Sequence, residues 1–305
     1  MLLPHQPVLY QEIIHALRPK STGFYVDGTL GAGGHAAGLL AGSEPGGRLL
    51  GLDVDPQALE LARQNLAPFG ERACLKRAAY TSLPDQLAAL GWDKVDGILL
   101  DLGASSMQFD KPERGFSFLT DGPLDMRFDP SNPLTAAEIV NSWAEDELAD
   151  VIFRYGEERA SRRIARAIQR ARPIKGTRQL AGIIEKAIGR HGSHHPATQT
   201  FQALRMAVNG ELESLEKTLP LAVQALRPGG RLAVISFHSL EDRLVKDFFR
   251  LESRDCICPP KQPVCTCGHK ARLKEIARRP ITPTEAEINQ NSRARSAKLR
   301  IAEKL

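Results

Sequence analysis

Short apolar runs alternate with amphipathic stretches over the first hundred residues, and the two periodicities differ enough to assign each segment. Tyr10 to Leu17 carries Ile13, Ile14 and Leu17 on one face and stops before Pro19, which predicts a helix. Phe24 to Val26, Arg48 to Leu52, Ala73 to Leu75 and Val95 to Leu100 are apolar runs too short for helices and read as buried strands. Between them, the group Ala36, Ala37, Leu39 and Leu40 and the group Leu59, Ala62 and Leu66 behind Pro56 predict helices packed by one face. Strand and helix in strict alternation predict an α/β fold with a parallel sheet.

From Met107 the pattern changes. Residues 109–118 and 121–128 mix aromatics, charges and turn residues, and loops this long with this many aromatics read as functional rather than disordered. Helical spacing then covers Thr135 to Phe153, Glu157 to Arg172, Thr177 to Ile188 and Thr198 to Leu219. Alternation resumes with a strand in Leu226 to Ser239, a helix from Glu241 to Phe249 and a last strand from Ser296 to Ala302. The expected organisation is a discontinuous α/β domain, residues 1–106 and 210–305, interrupted by a helical insert at 107–209.

The first strand runs into Asp27-Gly28-Thr29-Leu30-Gly31-Ala32-Gly33-Gly34-His35, a glycine turn opening a helix whose N-terminal N–H groups point back at the turn. The second strand ends on Asp53, about 20 residues further on, where an acidic side chain can accept from ribose hydroxyls. Together they call for an adenosine-containing ligand. Gly31-x-Gly33-x-x-Ala36 also fits the dinucleotide pattern, so a nicotinamide-dependent oxidoreductase is the alternative. Charge decides between them: Asp27 would repel a pyrophosphate and can hold an ammonium, which favours S-adenosylmethionine. Asp101 closes the apolar strand Val95 to Leu100 at the edge where parallel sheets bind ligands, and Tyr80 sits where the chain returns to that edge and can flank adenine.

The net charge of +5 is unevenly spread over the 305 residues. Arg154 to Gly210 carries +9 and Arg254 to Leu305 carries +7, which leaves −11 for the rest. Arg159, Arg162, Arg163, Arg166 and Arg170 recur at helical spacing. Two basic blocks on an otherwise acidic, nucleoside-binding chain point to a polyanion, most simply nucleic acid, and a non-catalytic RNA-binding module is a second alternative. It would have no need of Asp53, Asp101 or the glycine turn. No run approaches the about 18 apolar residues of a membrane helix and Met1 to Leu9 lacks a secretion-signal plan, so a cytoplasmic protein with no membrane partner is expected. His5, alone near the terminus, reads as a surface residue.

Of five cysteines, Cys74 is isolated and Cys256, Cys258, Cys265 and Cys267 are clustered. Four thiols in a short span could hold zinc, but the C-x-C spacing is tighter than that of common zinc ribbons, which favours a reduced, metal-free loop over a structural zinc.

Several motifs are held in common with one family. The stretches 27–35, Ile98-Leu99-Leu100-Asp101-Leu102-Gly103-Ala104-Ser105-Ser106, Glu113 to Phe118, Asp121 to Arg127, His195 to Ala203, Ile235 to Arg243 and Ser292-Arg293-Ala294-Arg295-Ser296 resemble the bacterial ribosomal RNA small subunit methyltransferase H family across nearly the whole chain. The resemblance implies a class I S-adenosylmethionine-dependent methyltransferase (Rossmann-like) sheet with a helical substrate-recognition insert. It implies methylation of the exocyclic N4 of one cytidine in the decoding region of small-subunit (16S) rRNA, with rRNA or the small ribosomal subunit as partner and no DNA. By motif position, the cofactor contacts would be Gly33, Gly34, His35, Asp53, Tyr80, Asp101 and Gln108, with Asp101 also the candidate catalytic residue. Amino-methyltransferases commonly follow this strand with Asp/Asn-Pro-Pro-aromatic. Asp101-Leu102-Gly103-Ala104 keeps the acid but lacks the aromatic, so Phe109, Phe116, Phe118 and Phe237 become the candidates to stack on the base.

Overall fold

The computed structural model describes residues 7–190, 195–260, 262 and 264–305; His5 lies outside them. The chain divides into two compact units, Met1–Gly103 with Leu212–Leu305, and Ala104–Glu211.

The first unit is built on seven strands: β1 (Phe24–Asp27), β2 (Arg48–Asp53), β3 (Ala73–Arg77), β4 (Val95–Asp101), β5 (Leu226–Ser236), β6 (Leu273–Glu275) and β7 (Lys298–Lys304). Their order across the sheet is β3-β2-β1-β4-β5-β7-β6, and β7 alone runs antiparallel, wedged between β5 and β6. This is the class I methyltransferase sheet. Strand order reverses beside β1, so the carboxyl ends of β1, β2 and β4 flank the crevice at the switch point, where open α/β sheets bind ligands.

Both faces of the sheet are covered, which is why its strands are continuously apolar rather than alternating. Val26, Leu50, Ile98, Leu100 and Val234 face one core with Leu219, Val223 and Phe249. Their neighbours Tyr25, Leu49, Leu99, Ala233 and Ile235 face the other with Ile13, Leu39, Leu59 and Leu66. A one-residue slip of any central strand would exchange these two sets.

The second unit is helical, around Ile139, Val140, Leu148, Ile152, Ile164, Ile168, Leu180, Ile184 and Leu204. Its helices are shorter than the sequence pattern predicts. The expected helix over Thr135 to Phe153 is two, Ala136–Ser142 and Glu145–Gly156, because Trp143 and Ala144 are extended and the Glu147 carboxylate accepts the Ala144 N–H to start a new helix. Likewise Thr198–Asn209 ends at Gly210, whose φ of 57° is left-handed, and Glu211–Ala225, which belongs to the first unit from Leu212 onward, is a separate helix. Glu157 is left-handed too, so the arginine helix starts at Ser161 and ends at Arg170.

The motif residues around Arg114 to Arg127 knit this unit internally. Buried Arg114 donates to the carbonyls of Arg127 and Phe128, while Arg127 forks onto Asp125 at 3.0 and 2.7 Å. Asn209 accepts the Phe128 N–H and donates to the Met126 carbonyl, tying the loop to a helix end.

Candidate functional site

Three strands that lie side by side each end on an aspartate. In register, Asp27 pairs with Gly51 of β2 and with Leu99 of β4, so Asp53 and Asp101 each extend two residues past it at the same edge. The glycine turn, which continues β1, is fixed against β2 and β4. Gly28 donates to the Leu99 carbonyl, Leu30 to the Leu52 carbonyl, and Gly31 to the Asp53 carboxylate at 2.8 Å. Gly31 and Gly33 have φ of 54° and 83°, and a Cβ at Gly33 would press on the Leu66 side chain at 3.0 Å. At Gly31 a Cβ would meet nothing within 4 Å, which leaves the backbone of the turn open to a ligand. The helix Gly34–Gly42 starts directly behind it, and its first N–H groups lack intrahelical acceptors like those of any helix.

The edge is electrostatically unsatisfied. Asp27 is 1% exposed, and burial pushes its carboxyl up to about 7, against the Thr29 N–H and His35, with the charges of Asp101 and Asp53 adding to the rise. Burial raises Asp53 to about 6, although the N–H groups of Asp55 and Gly31 act the other way. The Asp101 N–H donates to the Thr29 hydroxyl at 2.6 Å, which sets the end of β4 against the turn. His35, 5% exposed, stacks on Tyr10 and brings Nε2 to 3.6 Å from Asp101 Oδ2, just beyond hydrogen-bond reach. Both ring nitrogens of His35 and Asp101 Oδ1 are buried without a hydrogen-bond partner among the described residues.

Such a set of acceptors fits S-adenosylmethionine. Neighbouring carboxylates in a desolvated edge repel one another, and a ligand bearing a sulfonium, an ammonium and hydroxyl donors relieves that repulsion without offering a phosphate to be repelled.

The match to known sequences decides the class. The model of the MraW methylase family matches residues 2–305. The chain belongs to the MraW methylase family. Ribosomal RNA small subunit methyltransferase H of Dehalococcoides mccartyi (strain ATCC BAA-2100) is 53% identical over 303 residues, covering 99% of this chain and 87% of that protein. The protein with the same name from Heliobacterium mobile is 50% identical over 308 residues, covering 99% of both. Among solved structures, an rRNA methylase from Streptococcus thermophilus superposes with a TM-score of 0.46 at 13% identity, covering 100% of this chain and 99% of that one. A methylase on this sheet takes its methyl group from S-adenosylmethionine, and membership of the family leaves the oxidoreductase alternative without support.

The other residues singled out by sequence fall in several places. Tyr80 is half-buried at the start of the turn Tyr80–Ser82, and its Cβ would lie 3.1 Å from a Cβ placed on Gly28. It therefore stands over the turn. Gln108 belongs to the second unit, where it is buried and its Oε1 accepts the Ser105 N–H. All four phenylalanines named for base stacking pack in cores: Phe109, Phe116 and Phe118 in the helical unit, Phe237 against the sheet. Phe116 stacks on Phe128, and Phe118 meets Phe201 edge-on.

Arg159, Arg162, Arg163, Arg166 and Arg170 are all exposed. Arg166 pairs with Glu145 at 3.3 Å, while Arg162, Arg163 and Arg170 make no ion pair among the described residues. The basic tail divides differently from the sequence expectation. Lys298 and Arg300 clamp Asp242 at 3.2 and 2.6 Å and hold β7 to the helix Ser239–Glu252, leaving Arg278, Arg279 and Arg295 exposed. The Thr29 hydroxyl and the Tyr10 ring stacked on His35 had no sequence signal, since neither a threonine nor a tyrosine in those positions marks a site.

Proposed function

We propose that this chain transfers a methyl group from S-adenosylmethionine to small-subunit ribosomal RNA, at the exocyclic N4 of a cytidine in the decoding region. Full-length relatives at 50–53% identity bearing the name ribosomal RNA small subunit methyltransferase H carry the RNA part of this reading. The motif resemblance carries the position on the base.

The observation that supports the chemistry is the unpartnered, buried Asp101 Oδ1 at the end of β4. A cytosine amine has its lone pair delocalised into the ring and attacks only when an acceptor holds one of its hydrogens and aims the lone pair, so positioning matters more than basicity. Asp101 supplies that acceptor, held by its own N–H on Thr29. When bound, the cofactor supplies an electrophilic methyl group. Asp53 accepts from the ribose, Gly33, Gly34 and His35 cradle the remainder with their backbone, and Tyr80 flanks the adenine; the resemblance adds Gln108. Asp27 holds the ammonium.

The target cytidine has to leave its stack, so the flanking backbone must be gripped meanwhile. Arg162, Arg163 and Arg170, which make no ion pair among the described residues, present their guanidinium groups for that purpose. Among the described residues no helix is long and apolar enough to cross a membrane, and the reading places the enzyme in the cytoplasm with the ribosomal subunits.

The test is incubation of the purified protein with methyl-labelled S-adenosylmethionine and small subunits from cells that lack it, followed by digestion of the RNA to nucleosides. The label is expected in N4-methylcytidine. Label in any other nucleoside, or none, overturns the reading.

A further inference from the structure

The helix Ser239–Glu252 and β6 are joined by a connection with no helix or strand among its described residues, and this connection brings four cysteines together. One Sγ from each of Cys256, Cys258, Cys265 and Cys267 lies within 4.8 Å of all the others. Cys256 and Cys265 are 3.5 Å apart, Cys265 and Cys267 3.6 Å, Cys256 and Cys267 3.9 Å, and Cys258 and Cys265 4.0 Å. Bonded sulfurs would sit about 2.0 Å apart, and all four cysteines are free. Zinc bonds of about 2.3 Å in a tetrahedron put the sulfurs about 3.8 Å from one another, the middle of the observed range.

Hydrophobic collapse does not explain this convergence. Cys256, Cys265 and Cys267 are exposed, and the apolar neighbours Ile257 and Val264 are 41% and 69% exposed. Backbone amides do point at the sulfurs: the Ile257 N–H donates to Cys267 Sγ and the Thr266 N–H to Cys258 Sγ, both at 3.4 Å. Each amide comes from the opposite C-x-C arm, so the two arms are interlocked, and amide donors to sulfur are what stabilises a metal thiolate.

The base of the loop is closed independently. Arg272 donates its N–H to the Glu252 carbonyl at 2.8 Å and its Nε to the Glu252 carboxylate at 2.6 Å. His269 Nδ1 lies 2.8 Å from the Arg254 carbonyl, which can only accept, so the imidazole donates there and is engaged in closing the loop.

From these distances we propose that Cys256, Cys258, Cys265 and Cys267 bind one structural zinc ion. This reverses the expectation drawn from the C-x-C spacing. Each arm supplies two sulfurs, and the tetrahedron is completed by convergence of the arms rather than by the spacing within either. With four protein ligands and no open position the site is structural, and it pins the connection to the edge strand β6. It is independent of the methylation reading.

The full-length protein, made under reducing conditions without a metal-affinity step and dialysed against metal-free buffer, tests this by elemental analysis. About one zinc per chain is expected, falling to near zero in Cys265→Ser/Cys267→Ser. Cobalt(II) added to zinc-stripped protein should give thiolate charge-transfer absorption and the intense visible bands of a tetrahedral site. Far-ultraviolet circular dichroism of the variant checks that it folds, and the cobalt spectrum of the parent protein stands if it does not. Zinc absent while all four thiols react freely overturns the proposal. So does iron in its place, or zinc content unchanged in the double variant.

Discussion

The carboxylate of Asp53 accepts the backbone N–H of Gly31 at 2.8 Å, so the end of β2 and the glycine turn are clasped directly. The other oxygen accepts the Asp55 N–H, also at 2.8 Å, which fixes the carboxylate plane. A hydroxyl donor from a ribose would therefore meet a pre-oriented acceptor, with no side-chain rotation to freeze on binding.

Replacing this group should be costly to the cofactor. Asp53→Ala is expected to weaken S-adenosylmethionine binding by about 1.5–3 kcal/mol, the usual loss for hydrogen bonds to a charged acceptor. Titration calorimetry measures it directly. Unchanged affinity would place the ribose elsewhere.

The raised carboxyls predict a pH dependence. The unfolded chain releases these protons near pH 3.9, whereas the folded chain keeps Asp53 protonated to about 6 and Asp27 to about 7. The ligand-free protein therefore holds extra protons between those values and loses stability as the pH rises through them. A cationic ligand selects the ionised carboxyls, so affinity for S-adenosylmethionine should increase from about pH 5.5 to about pH 7.5, with protons released on binding. Calorimetry in two buffers of different ionisation enthalpy counts those protons. Asp27→Asn should flatten the profile, and a parent affinity independent of pH would show that the ligand does not meet these carboxylates.

If Asp101 orients the attacking amine, Asp101→Asn should lower kcat far more than it lowers cofactor affinity, because the lost contact matters chiefly in the transition state. Single-turnover rates beside calorimetric affinities separate the two. Equal losses in both would recast Asp101 as a cofactor ligand.

The apolar strands and the acids at their ends were legible because a sheet buried on both faces leaves continuous apolar runs, and those of β1, β2 and β4 each stop on an aspartate at the carboxyl edge of the sheet. Breaks within the helical unit and at its end were not. Gly210 sits between two stretches of matching helical period, and only its left-handed φ separates them. Trp143 and Ala144 similarly interrupt a pattern that stays amphipathic across them. That the four cysteines converge was not legible either, since C-x-C fixes only the sulfurs within an arm and the fold decides whether two arms meet. Charge counting likewise credited Lys298 and Arg300 to a nucleic-acid surface, whereas both are engaged by Asp242.

That distinction sharpens the prediction for RNA. Arg162, Arg163 and Arg170 carry no ion pair among the described residues, while Arg166 is held by Glu145. Each phosphate contact to a single strand contributes about −0.7 to the slope of log affinity against log salt. Arg162→Ala, Arg163→Ala and Arg170→Ala combined should flatten that slope by about two units with S-adenosylmethionine affinity unchanged. The parent's salt dependence in the triple variant would remove this helix from RNA recognition.

The most direct test of the account is mass-spectrometric mapping of small-subunit rRNA from cells lacking this protein, complemented with the parent chain or with Asp101→Asn. One decoding-region cytidine is expected to lose a base methyl group in the deletion, to regain it with the parent chain and to stay unmethylated with the variant. An unchanged methylation map in the deletion, or full restoration by Asp101→Asn, would contradict the assignment of this edge of the sheet as the site of amine methylation.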